Sequence, residues 1–272
     1  MKGYFALMRP VNAVMASLGT LVGGIIAREN ISALYVPELY VAMIVVFLVL
    51  MAGNVLNDYF DADIDKINHP RRPIPSGEVS RHSALILSVS LFILSFIVSV
   101  FTFNILQILI ALLAIFLLIT YEWKTKATGL LGNVVISALV GLIFIYGSLS
   151  IGISVLVLIL SLMAFLANLA REIVKDVEDM GGDVNRRTLP KKIGKGLSLI
   201  TAVILIIVAV SLSPIPYIFY RWSTFYIVFV GISDLIFLVS AFLSFQNQTA
   251  GQNLIKVAMI IGLVAFLVGS SI

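Results

Sequence analysis

Nine stretches of mostly apolar residues divide this 272-residue chain, and no fold made for water can bury that many. They run near 10–28, 39–57, 83–103, 105–121, 129–149, 153–171, 197–217, 223–244 and 254–271. One helix needs about twenty such residues to cross the hydrocarbon core of a bilayer. Lipid offers the backbone no hydrogen bonds, so each stretch reads as a transmembrane helix. Composition agrees, with 60% hydrophobic residues and a mean hydropathy of +1.10, far above soluble averages. No small-residue cleavage site follows the first stretch, which therefore reads as a span rather than a removable leader. The connections around Asn104, at Gly152 and from Pro214 to Arg221 are short, so the helices they join are antiparallel hairpins. The expected architecture is all-α: a polytopic membrane protein of nine transmembrane helices, with residues 1–272 as a single transmembrane domain.

The charges sit between the spans and orient them. With the N-terminus in the cytoplasm, the loops 58–82, 121–128, 172–196 and 245–253 fall on the inner side. All 18 Lys and Arg then lie inside except Arg28 and Arg221. The two long polar loops, 58–82 and 172–196, thus share the cytoplasmic face of a cell-membrane protein, and the C-terminus lies outside. Basic residues spent on topology make nucleic acid an unexpected partner. Cysteine is absent, which excludes disulfides, thiolate nucleophiles and thiolate metal sites. His69 and His82 cannot make a histidine-rich centre, and both read as loop residues without a catalytic role.

Nine of the 14 acidic residues crowd into two places. Asp58, Asp61, Asp63 and Asp65 lie in NDYFDADID, and Glu172, Asp176, Glu178, Asp179 and Asp183 lie in REIVKDVEDMGGD. Such crowding at a membrane boundary is costly unless something cancels the charge. Asp58, Asp61 and Asp65 stand at i, i+3 and i+7, and Asp176, Asp179 and Asp183 repeat those offsets. On a helix the offsets place three carboxylates on one face and turn Asp63 and Glu178 away. Each face is an oxygen-only surface suited to Mg²⁺, which takes one or two carboxylates together with phosphate oxygens. All six aspartates are therefore candidate metal ligands, and two facing clusters would hold a diphosphate between bridging metals.

Cations accompany the acids. Arg71 and Arg72 in NHPRRPIPSG, Lys124 in YEWK, and Arg171 and Lys175 before the second cluster are candidates for neutralising a departing diphosphate. Arg186, Arg187, Lys191 and Lys192 fit the topology signal. Arg9 and Asn12, beside the helix-starting Pro10, could reach an anionic head group at the first span. Asp234, inside the eighth span, demands a partner.

NDYFDADID, YEWK and REIVKDVEDMGGD, in that order and on a nine-helix background, resemble the NDxxDxxxD, YxxK and DxxDxxxD signatures of the UbiA superfamily of intramembrane aromatic and lipid prenyltransferases. The resemblance covers almost the whole chain. It implies a UbiA-like bundle around a central cavity, Mg²⁺ as cofactor and an isoprenoid diphosphate as donor. It carries over Asn57, Asp58, Asp61, Asp65, Tyr121, Lys124, Asp176, Asp179 and Asp183 as active-site residues. RPVN at the start, NDYFDADIDKINHPRRPIPSG and REIVKDVEDMGGD are most similar to the branch that forms the second ether bond of archaeal membrane lipids. That similarity implies geranylgeranyl diphosphate as donor and geranylgeranylglyceryl phosphate as the lipid phosphate acceptor. Chlorophyll synthases share the NDYxDxxID and RPIPSG wording, so a chlorin or aromatic acceptor stays open. The implied mechanism is metal-assisted ionisation, with the allylic cation formed over an apolar, helix-lined cavity that keeps water away.

Two other classes use similar residues. A CDP-alcohol phosphatidyltransferase would follow its first Asp cluster with Gly and Ala-Arg, whereas Ala62 follows Asp61 here and the second cluster is far away. A divalent-cation transporter would distribute acids through the spans rather than gather them at one face.

Overall fold

The computed structural model describes residues 2–181 and 187–271. Twelve helices, separated by short turns, build the described chain. They are α1 (Lys2–Met8), α2 (Pro10–Arg28), α3 (Pro37–Asn68), α4 (Arg81–Val100), α5 (Ile105–Trp123), α6 (Leu130–Ser148), α7 (Val155–Glu178), α8 (Leu189–Ile193), α9 (Lys195–Leu212), α10 (Ile215–Tyr220), α11 (Thr224–Leu243) and α12 (Gln248–Ser271). Among the described residues, nine helical segments are long and apolar enough to cross a membrane. The protein is a multi-pass membrane protein. Its outward surface carries large apolar side chains such as Leu113, Phe116, Ile204 and Phe242, which suit lipid and not water.

Sequence chemistry sets the helix ends. Pro10 and Pro37 occupy first-turn positions, where a missing N–H costs nothing. Asn104 Oδ1 and the Oγ atoms of Ser80 and Ser154 accept backbone N–H groups that begin α5, α4 and α7. The polar stretches differ from their expected form. Residues 58–82 are not loop throughout, because α3 continues to Asn68; likewise α7 continues to Glu178. Carboxylates and lysines at the end of a long helix do not break it, and no Pro interrupts the first stretch before Pro70 and no Gly the second before Gly181. The seventh span also differs, since α9 ends at Leu212 and α10 occupies much of the expected Pro214 to Arg221 turn.

Neighbouring spans are joined by hydroxyls donating to backbone carbonyls. Ser17 bonds Met43 O at 3.0 Å, Ser88 bonds Ala52 O at 2.9 Å, Ser161 bonds Gly141 O at 2.9 Å and Ser233 bonds Ala258 O at 2.8 Å. Such bonds, and small residues that let backbones touch, hold helices together where lipid removes the hydrophobic driving force. The α2/α6 crossing is the closest case. A Cβ on Gly23 would lie 2.1 Å from the Phe144 carbonyl oxygen, and one on Gly147 would lie 1.8 Å from that of Thr20.

Candidate active site

The last turns of α3 carry the first aspartate motif into the interior. Asp58 and Asp65 are buried, and Asp61 is partly so. Asp63 faces outward, paired at 3.0 Å with both Lys66 and Arg81. Each inward carboxylate has a cation. Arg9 donates to Asp58, while Arg72 Nη1 donates to Asp65 Oδ2 at 2.7 Å and lies 3.6 Å from Asp58 Oδ1. Arg9 reaches Asp58 from the break between α1 and α2, where its backbone is left-handed with φ 47°. That conformation costs a side-chain-bearing residue of order 1 kcal/mol and persists only when its surroundings hold it. Asn54 Nδ2 supplies part of the hold, donating to Met8 O at 3.1 Å beside the break. Above these groups opens a polar cleft of about 640 Å³, lined by Arg9, Asp58, His69, Arg71 and Arg72 among others. His69, expected to be a bystander, is thus a cleft residue.

The second arm of the site comes from the connection between α5 and α6. Lys126 Nζ lies 2.8 and 2.7 Å from the two oxygens of Asp61, and 3.0 Å from Glu122 Oε2. Glu122 Oε1 in turn accepts Asn57 Nδ2 at 2.9 Å. Two of the expected residues have partners of their own here. Lys124 is exposed and stacks 4.3 Å from the centre of the Trp123 ring. Because α5 stops at Trp123 and the chain tightens into a 3₁₀ turn over Thr125–Thr128, Lys126 takes the place expected for Lys124. Asn57 addresses Glu122 with its side-chain amide. Sequence reading missed Glu122 and Lys126, although their i, i+4 spacing was a usable sign of an ion pair. Tyr121 is half-buried on the last turn of α5.

The second motif is reached through the same connection. Asp176 is buried on α7 and accepts Asn133 Nδ2 at 2.7 Å from the first turns of α6. Behind it runs a buried polar ladder, in which Ser137 Oγ donates to Asn133 O at 2.7 Å and Asn168 Nδ2 donates to Ser137 Oγ at 3.1 Å. Asp179 opens a short 3₁₀ turn at the exposed end of α7. Glu178 turns to α12, accepting Thr249 Oγ1 and Gln252 Nε2, each at 2.5 Å. Arg171 pairs with Glu172 at 2.8 Å and reaches Gln252, and Lys175 is exposed. Asp183 and Arg186 lie outside the described residues.

Beyond the second motif the chain returns to the α5/α6 connection. Arg187 N donates to Ala127 O at 3.1 Å. Gly129, with φ +74°, makes the approach possible, since a Cβ there would stand 2.2 Å from Arg187 O. One short segment, 122–133, therefore touches both motifs: Asp61 through Lys126, and Asp176 through Asn133. The two clusters share one end of the bundle.

The donor set is oxygen-only, and among the described residues no three Asp, Glu or His side chains converge into a finished cage. That arrangement fits Mg²⁺, which keeps waters and takes substrate phosphate oxygens to complete its shell. Deeper in, an apolar cavity of about 150 Å³ lies between α2, α3, α5 and α6. Two of its walls, Leu118 and Ile136, stand about one helical turn from Glu122 and Asn133. Other expected residues lie apart from the carboxylates. Asn12 is exposed on α2 and His82 is exposed on α4. Asp234 finds its partner at the α9/α10 break, where Ser213 Oγ donates to Oδ2 at 2.5 Å and Tyr226 donates to Ser213 O at 2.6 Å.

Comparison with known proteins places this geometry. The model of the UbiA prenyltransferase family matches residues 16–267. Digeranylgeranylglyceryl phosphate synthases are similar along their full length. The protein of Methanococcus maripaludis (strain C6) is 39% identical over 99% of this chain and 98% of its own. That of Methanopyrus kandleri is 38% identical over 98% of both. A solved structure described as digeranylgeranylglyceryl phosphate synthase superposes with a TM-score of 0.83 at 37% identity, covering 99% of this chain and 98% of the other. A UbiA homolog from Archaeoglobus fulgidus, bound to DMAPP and Mg²⁺, shares the fold with a TM-score of 0.65 at 18% identity, over 97% of this chain and 98% of its own.

Proposed function

We infer the activity from one premise: this chain belongs to the UbiA prenyltransferase family. It is a prenyltransferase that moves a geranylgeranyl group from geranylgeranyl diphosphate to the free glycerol hydroxyl of geranylgeranylglyceryl phosphate, forming the second ether bond of an archaeal lipid. The observation that carries this reading is the meeting of both aspartate motifs at one connection, with cations on the carboxylates and an apolar cavity beside them. The whole chain acts as one transmembrane prenyltransferase domain. Its charge placement supports a cell-membrane orientation with the N-terminus and the site at the cytoplasmic face.

Asp58, Asp61 and Asp65 on α3, and Asp176, Asp179 and Asp183 from the second motif, are the residues that would hold Mg²⁺. Bound Mg²⁺ supplies Lewis-acid neutralisation of the diphosphate. Arg9, Arg72 and Lys126 already lie against these carboxylates and are placed to take phosphate oxygens. Tyr121, on the same turn as Glu122, lies at the edge of this group. The C–O bond to the diphosphate breaks heterolytically and both electrons leave with it. The apolar cavity keeps water from the allylic cation. The acceptor hydroxyl then attacks C1, and its proton passes to the released diphosphate, a carboxylate or water. The polar cleft, with Arg9, His69, Arg71 and Arg72, suits the acceptor's phosphate, a dianion that planar guanidinium groups grip in pairs.

The test is an assay of the purified chain with radiolabelled geranylgeranyl diphosphate. Geranylgeranylglyceryl phosphate, its phosphate-free alcohol and an aromatic acid serve as acceptors. Label is expected in the phosphate lipid alone and only with Mg²⁺ present. Equal transfer to the alcohol or the aromatic acid would move the acceptor to another branch of the family.

A further inference from the structure

Glu122 belongs to neither aspartate motif, yet it stands at the centre of the network around the first one. Its side chain is 5% exposed. Both its oxygens are engaged, one by Asn57 Nδ2 at 2.9 Å and the other by Lys126 Nζ at 3.0 Å. Each of its oxygens thus already holds a donor from the protein. Lys126, 13% exposed, bridges Glu122 and both oxygens of Asp61. One ammonium thus bridges two carboxylates in a partly sheltered place.

We propose that Glu122 is a positioning residue that holds Lys126 so that Asp61 can be released to a divalent cation. The proposal rests on the prenyltransferase reading, in which Asp61 is a metal ligand. A dication arriving at Asp61 repels Lys126 from it. An ammonium so shielded must keep a carboxylate partner, since an unpaired charge away from water is strongly unfavourable. Glu122 provides that partner four residues earlier, on the last turn of α5, and Asn57 fixes the carboxylate's orientation. Lys126 then stays beside Asp61, aimed at the space a phosphate would fill. Without the Glu122 charge, Asp61 is the lysine's only described carboxylate partner, and lysine and metal compete for the same oxygens.

The test uses the full chain in detergent, with Mn²⁺ as the probe and electron paramagnetic resonance to count free ion. Glu122→Gln preserves the shape and the acceptor for Asn57. It is expected to weaken Mn²⁺ binding about tenfold or more, the usual consequence of removing a group that orients a metal ligand. Adding Lys126→Met to Glu122→Gln removes the competitor and should restore the affinity, which a merely structural role for Glu122 would not produce. Glu122→Asp, which keeps the charge on a shorter arm, should retain most of the binding. Unchanged Mn²⁺ affinity in Glu122→Gln, or no recovery in the double variant, overturns the proposal. Should the parent protein itself fail to bind Mn²⁺, the reading of Asp61 as a metal ligand falls, and the role of Glu122 with it.

Discussion

Replacing Asn133 by Ala isolates what one buried amide contributes to the site. Asn133 Nδ2 donates to Asp176 Oδ2 at 2.7 Å, and both residues are buried. Hydrogen bonds to a charged group contribute about 1.5–3 kcal/mol, because the carboxylate loses a donor that water cannot replace. If the bond serves to set Asp176 for metal and diphosphate, its loss falls on the transition state. At about 1.4 kcal/mol per factor of ten, kcat/KM should drop by roughly ten- to 150-fold. Ser137→Ala is the paired control. It removes neutral bonds from the same ladder, worth about 1 kcal/mol, and should lower thermal stability more than turnover. The assay is initial rates with labelled donor over a range of Mg²⁺ concentrations, on protein that remains monodisperse in detergent. A kcat/KM for Asn133→Ala within about twofold of the parent, under 0.5 kcal/mol on the same scale, would refute the argument that this contact prepares Asp176.

Asp61→Ala and Asp179→Ala should each abolish most turnover, and the double variant should lose little more, because groups acting on one metal and diphosphate are not additive; additive losses would separate the motifs. Asp63→Ala should cost little, since its pairs with Lys66 and Arg81 are exposed surface bridges, and a large loss would mean that its outward placement is wrong. Lys126→Met should raise the donor KM while Lys124→Met leaves it nearly unchanged, and steady-state kinetics that rank them the other way would return the role to Lys124. Single cysteines placed at Ser76 and Lys192 should be labelled from the cytoplasmic side of sealed vesicles, and one at Ser32 from the other side; labelling of 76 and 192 from opposite faces would break the shared site.

Hydropathy was enough to read nine spans, because lipid imposes a length on each helix and leaves no alternative for the backbone. It could not place their ends. Residues 58–68 carry four aspartates and a lysine, yet nothing in them stops a helix, so the motif that reads as loop is the end of α3. The same limit hid the role of Lys126: which lysine of YEWKTK faces inward depends on where α5 gives way to a 3₁₀ turn, a matter of one residue. Asn133 and Glu122 carried weaker signs. Each is a polar residue in an apolar or aromatic setting whose partner, Asp176 or Asn57, is distant in sequence, and only the packing of α6 on α7 and α5 on α3 brings them together. Asp234 did announce a need for a partner. The donor proved to be Ser213, set free by a helix break that the apolar run 197–217 conceals.

The touching backbones of α2 and α6 also bear on where that pair of helices can part. Gly23, Gly147 and their carbonyl neighbours lie toward the ends of α2 and α6 remote from Arg9 and Asn133, the ends that reach the carboxylates. Two rods pinned at one end widen only at the other. Any parting of α2 from α6 beside the cavity they share with α3 and α5 is therefore easier at the carboxylate end. The far end, where the two backbones touch, holds the pair like the closed jaw of a clothes peg.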